Sequence, residues 1–354
     1  MRMLASLPLA AGADGPRLTG AGIKARKLPG PPGGAAGFPH GATFLVGGPP
    51  SGRLHGLARS VAQALTQGLP PETHIALASI GGADGVTAAN RFAATVPPDG
   101  RTLLFGPGAT MIAWLIGDAR ARFDVGSWVP VLAGESPAML LARVPPARLA
   151  GGARVRVGIE RVAGPDLAGL LAIALLGGEP VPVAFPSPGA ASFALSRGEI
   201  EAMLVQGPTA ANRAEQLGRA GAATRIGLGS TQPNGALGRD PSMPAQPHLA
   251  ELYRHLHGRA PQGPLFDAWR ALAIAAQLVF MIDLPPLTPA TMVALWRGAA
   301  SGGSAQLAAP LAEDGARTLA GPALFAAARG IAVGVPALLA LRRWLSTRPG
   351  WPMR

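Results

Sequence analysis

The sequence has no cysteine, which excludes disulfides, thiolate metal sites and cysteine nucleophiles. Lysine is almost missing: Lys24 and Lys27 stand alone, and every other basic residue is arginine. Aromatic residues fill only 5% of the 354 positions, with a single tyrosine and no basic-aromatic cluster. Nucleic-acid surfaces gather charge on one face and add stacking rings, so no nucleic-acid partner is expected. The arginines are scattered, and the formal net charge of +12 reads as a general attraction for anions. A membrane-spanning helix needs ~20 apolar residues. The best stretches fall short: 271–284 is broken by Gln277 and Asp283, and 331–341 by Pro336. Both read as core elements, with Asp283 a turn or cap residue. The sequence also lacks the GxSxG, GxxxxGKS/T and GxGxxG patterns. Serine-hydrolase, P-loop and Rossmann readings therefore lack their basic parts.

What is present is apolar and punctuated. Hydrophobic residues make up 48% of the chain, with 49 glycines and 37 prolines. A chain of this length suggests about two domains and can bury a core. Residues 1–40 show no periodicity and carry the linker-like run Pro29-Gly30-Pro31-Pro32-Gly33-Gly34. Arg2, an apolar stretch from Met3 and Ala11-Gly12-Ala13 resemble an atypical export signal with its cleavage site; a disordered leader is the alternative.

From residue 42 onward strands, Gly-rich loops and helices alternate. Strands are expected at 42–47, 75–80, 101–106, 129–133, 139–143, 154–159, 181–185, 199–205, 224–229 and 316–319. Helices are expected at 54–65, 86–94, 166–176, 190–196, 210–220, 247–257, 264–278, 289–300, 304–314 and 322–345. This alternation predicts an α/β architecture with mainly parallel sheets. Ligands in such sheets collect outside the carboxyl ends of the strands, where helix N-termini favour anions.

His248, Glu251 and His255 have helical metal-site spacing, with His257 nearby, yet no second ligand cluster supports them. A solvated helix face is the better reading, and no metal or cofactor is expected. Glu160 and Arg161 follow an apolar strand, so they read either as ligand groups or as a solvated pair.

Several motifs in order resemble the extracytoplasmic solute receptors of tripartite tricarboxylate transporters, the Bug family. Gly81-Gly82-Ala83-Asp84-Gly85 through Pro98-Asp99-Gly100-Arg101-Thr102-Leu103-Leu104 is similar to that family's PGAGG loop, helix and PDGYTLL stretch. The segment 51–59 resembles GGxxDxxAR, Val129–Ala133 the strand before the first hinge, and Phe185-Pro186 with Gly189 and 197–201 resembles VPYKG…GGQVD. Pro247-His248-Leu249-Ala250-Glu251 is similar to PTxxE.

The resemblance implies a two-domain periplasmic-binding-protein (Venus-flytrap) fold, type II-like, with two hinge crossings. Domain 1 would hold 42–142 plus 229–354, domain 2 would hold 143–228, and 1–41 would be the leader. It implies a periplasmic, monomeric, non-enzymatic receptor that closes over a small organic acid and docks on membrane transporter subunits. The implied ligand groups are Ser51, Gly52, Gly106, Gly108, Thr110, Glu160, Arg161, Gly189 and Gln206.

The departures from the family pattern are specific. The loop Gly47-Gly48-Pro49-Pro50-Ser51-Gly52 loses two N–H donors to proline. His55 stands at an expected Asp, and the second-domain loop 158–167 loses its serines and gains Glu160. Arg161 would replace lost donors, or Glu160 would select an amine-bearing ligand. Two other functions stay open: a receptor-like domain whose cleft is filled, used for protein interaction or sensing, and an α/β enzyme using Glu160, His55 or Asp84.

Overall fold

The structure is a computed structural model that describes residues 41–207, 209–313 and 315–351. The export-like segment and the Pro/Gly run before residue 41 lie outside the described residues. The strands among the described residues are β1 (Ala42–Gly47), β2 (Ile75–Ile80), β3 (Thr102–Gly106), β4 (Val129–Glu135), β5 (Ala138–Ala142), β6 (Arg154–Ile159), β7 (Glu179–Ala184), β8 (Ala202–Gln206), β9 (Thr224–Gly227), β10 (Ser230–Thr231), β11 (Leu237–Gly238), β12 (Leu278–Leu284) and β13 (Arg317–Leu319). The α-helices are α1 (Arg53–Thr66), α2 (Val86–Thr95), α3 (Gly108–Ile116), α4 (Pro146–Ala150), α5 (Asp166–Leu175), α6 (Pro188–Arg197), α7 (Ala210–Arg219), α8 (Leu249–His257), α9 (Pro264–Gln277), α10 (Ala290–Gly302), α11 (Ser304–Glu313), α12 (Gly321–Ile331) and α13 (Val335–Ser346).

Two main sheets result. The first has the order β13-β4-β12-β3-β1-β2 and the second β7-β6-β8-β5-β9. The expectation of mainly parallel sheets needs correction. β1 pairs in parallel with β2 and β3, and β6 with β7 and β8. β12, β13 and β5, however, run antiparallel to their neighbours. Each sheet thus has three parallel strands in the order second-first-third, then one antiparallel strand arriving from elsewhere in the chain. The edge strand β7 carries Pro180 and Pro182, which an edge tolerates because it needs fewer donors.

The chain leaves the first sheet at Ser136-Pro137 and returns through Leu228-Gly229. The two passages lie side by side, the Leu228 amide donating to Ala138 O at 3.0 Å, and the Ser136 amide donates to Gln277 O at the end of α9 at 2.8 Å. β5 therefore belongs to the second sheet, which places this crossing earlier than residue 142. Beside the passages, the Arg317 guanidinium holds the buried Glu135 carboxylate at 2.6 Å and contacts the Ser230 hydroxyl, with Asp240 4.0 Å away.

Helix periodicity explains the packing. α1 puts Leu57, Ala58, Val61 and Leu65 on one buried face. That face joins Phe44, Phe105, Phe280 and Trp296 in a core on one side of the first sheet. The other side of that sheet shares one continuous apolar core with the second sheet. At the seam Trp269 of α9 is fully buried, and its indole N–H donates to Ala168 O of α5 at 3.1 Å.

Three expectations change here. Residues 278–284 form a strand that the periodicity reading omits, and Asp283 is buried inside it rather than capping a turn. Residues 108–116 form a helix that the periodicity reading omits. The last helix is two, bent by 55° at the break before Pro336. Among the described residues no single helix is long and apolar enough to cross a membrane.

Candidate functional site

Loops at the carboxyl ends of both sheets face one cavity of about 360 Å³. From the second sheet come Gly158, Ile159 and Glu160 after β6, Asp166 at the start of α5, Pro188 at the start of α6, and Gln206 closing β8. From the first come Arg53 at the start of α1, Ser136 at the crossing, and Ala276–Val279, where α9 turns directly into β12. Arg213, on the first turn of α7, completes the lining.

The hydrogen bonding of this lining is specific. The Glu160 amide donates to Asp166 Oδ2 at 2.9 Å. Asp166 is half-buried, and its enclosure pushes the carboxyl up to about 6 against the pull of the Glu160 amide. The Gln206 side-chain amide donates to Ala276 O at 2.6 Å, tying the second sheet to α9. The Gln277 side-chain amide donates to Ala273 O at 3.0 Å, leaving its Oε1 without a partner in a residue only 2% exposed.

The expected site residues divide. Glu160 and Gln206 line this cavity, and exposed Gly189 adjoins its Pro188. Arg161 lines a second hollow of about 640 Å³ with Asp84, Asp118 and Arg120. There Arg120 bridges Asp84 at 2.9 Å and Asp118 at 2.7 Å, holding the Asp118 carboxyl below its ordinary range. Ser51 is exposed and Gly52 half-buried in the turn before α1, beside the lining residue Arg53.

Gly106, Gly108 and Thr110 are buried and stand outside the lining of this cavity. A Cβ on Gly108 would lie 1.9 Å from Ala275 O, so only glycine lets α3 meet α9 here. Thr110 Oγ1 donates to Asp84 O at 2.9 Å. It also presses on Gly85, whose φ of +72° and missing Cβ permit the turn into α2. The periodicity reading missed Arg53, Ser136, Asp166, Arg213 and Gln277. Arg213 was legible as the polar side of an amphipathic helix, but nothing in one dimension aimed it at this cleft.

The open alternatives can be located. Pro49 and Pro50 are exposed and do not fill the cavity, Ile159 lines it, and Val162 is buried beneath. The candidate catalytic groups do not converge: His55 Nδ1 lies 2.7 Å from Ser79 Oγ, Asp84 pairs with Arg120, and Glu160 lines the first cavity. His248 caps α8 and shares a capping box with Glu251, and among the described residues no His, Asp and Glu group could hold a metal.

No protein-family model matches the chain, and no curated protein matches it. Solved structures do. A TctC solute-binding protein from Polaromonas is 16% identical, with 88% of this chain and 99% of that one covered at a TM-score of 0.63. The periplasmic binding protein BugD is 15% identical over 88% and 99% of the two chains, with a TM-score of 0.52. MatC from Rhodopseudomonas palustris, solved with bound malate, is 21% identical over 86% and 99%, with a TM-score of 0.51. The likeness is one of fold: this chain has the architecture of the TctC and Bug periplasmic solute-binding proteins.

Proposed function

We propose that the chain is a non-enzymatic solute receptor that holds a small organic carboxylate between its two sheets. Its lobes are 41–136 with 229–351, and 138–228. The observation that carries this reading is the cavity itself. It opens at the carboxyl ends of both sheets, and each side contributes an arginine-bearing helix start, Arg53 on one and Arg213 on the other. Arginine is always charged and offers a planar fork of donors that suits a carboxylate. The malate bound by MatC fits the same chemical class. Like the TctC and Bug proteins it resembles in fold, the receptor would act outside the cytoplasm and deliver its ligand to a membrane transporter of the tripartite tricarboxylate type.

The test is a thermal-shift screen against dicarboxylates, tricarboxylates and amino acids. A true ligand at ~100 times its dissociation constant stabilises by about 2.7 kcal/mol. The shift should vanish in Arg213→Ala, whose apo melting temperature should barely move. A screen without a hit would count against the receptor reading and favour a fold kept for protein interaction.

A further inference from the structure

We infer that the cleft selects a ligand bearing both a carboxylate and a protonated amine, and disfavours plain polycarboxylates. This rests on the receptor reading above and refines it. The start of a helix after a strand, with its free amides, is where an external anion would settle. Here that place is taken. Asp166 belongs to the chain, and its carboxylate already accepts the Glu160 amide. A ligand carboxylate cannot displace a side chain anchored at the helix start without opening the loop. The second sheet therefore presents to the cavity not a nest of donors but two carboxylates, Glu160 and Asp166.

The two glutamines reinforce this polarity. Each uses a side-chain N–H on a backbone carbonyl, Gln206 on Ala276 and Gln277 on Ala273. Gln277 Oε1 has no partner, and an unsatisfied acceptor in a residue this deeply buried calls for a donor. The acceptors Glu160, Asp166 and Gln277 are thus answered by a ligand N–H, best an ammonium. Arg53 and Arg213 answer a carboxylate. A dicarboxylate satisfies the arginines but sets its second charge against Glu160 and Asp166, a repulsion that acts as selection.

Two matched pairs isolate the ammonium group: butyrate with 4-aminobutyrate, and glutarate with L-glutamate. Calorimetric titration of the full chain should show the amine-bearing member of each pair binding more tightly. Glu160→Gln should reduce that preference by roughly 10- to 100-fold, the worth of a charged hydrogen bond. Glu160→Arg should invert it. Glu160 is exposed, so neither change threatens folding, and a thermal melt of each variant verifies this. If the amine-free members bind equally or better, and Arg213→Ala still abolishes them, this inference falls while the receptor reading stands. If none of the four acids binds, both fall.

Discussion

Asp283 lies next to the last residue of β12 with both carboxylate oxygens buried and unpartnered. Its surroundings include Met111, Trp128, Met281 and Ile331, and burial alone pushes its pKa up to about 8. The sign follows. A carboxyl whose folded pKa exceeds its unfolded one disfavours folding wherever the unfolded chain is ionised. The penalty begins above the ordinary carboxylate range near 4 and is complete above pH 8. Melting temperatures should therefore decline between pH 5 and 8 more steeply for wild type than for Asp283→Asn. The gap at pH 8 should be on the order of several kcal/mol, the cost of one buried ion; parallel pH profiles would overturn this. Gly108 gives a second residue-scale expectation. Gly108→Ala drives a Cβ into the Ala275 carbonyl and should destabilise by roughly 1–3 kcal/mol, read by denaturant titration. A ligand role for Gly108 would instead lower affinity at unchanged stability. These residues mark where the sequence was silent. A turn-like Asp before Pro285-Pro286 and a buried strand Asp look alike until a neighbouring strand covers one of them.

The strands that alternate with helices were legible, because loops rich in Gly and Pro bound them. β12 was not. α9 passes into it between Gln277 and Leu278 with no glycine or proline to signal the change, and apart from half-buried Val279 the whole strand is buried. A fully buried strand shows no alternation and reads like the tail of a buried helix. β13 is legible in position yet carries a function invisible in one dimension. Its Arg317 reaches across to Glu135 at the end of β4 and to Ser230 on β10. Burial holds the Glu135 carboxyl above its ordinary range despite that partner. Arg317→Ala should cost about 2–3 kcal/mol, below the 3–5 typical of a broken buried pair, because Arg317 stays about one-third exposed. Adding Glu135→Gln should recover much of the loss in a double-mutant cycle, and strict additivity would deny the coupling.

At the scale of the molecule the two sheets are not independent bodies. The described residues cluster as one compact unit, because α5 and α9 share the apolar core at the Trp269 seam. Calorimetry should therefore show one cooperative transition for both sheets; two separated transitions would refute the shared core. Trp269→Phe should destabilise that single transition by about 1 kcal/mol through the lost indole hydrogen bond. The α/β class and the family likeness were readable from motif order, whereas the cleft was only partly so. Glu160 and Gln206 sit where strand-end reasoning put them, but Arg53 and Gln277 stand 107 and 117 positions from Glu160 and Arg213 stands 53 from it, so only the fold brings them together. The side-by-side passages at Ser136-Pro137 and Leu228-Gly229 carry a consequence for recombination. A segment that enters and leaves at adjacent points is, by connectivity, a cassette that could be exchanged between receptors to transplant ligand preference. The α5 face pressed on Trp269 is the part of that cassette that must match its new host. A chimera grafting 138–227 from another chain should fold only when the donor presents an equally apolar, small-residue face there, so inheritance of the binding lobe is constrained by its back rather than by its cleft.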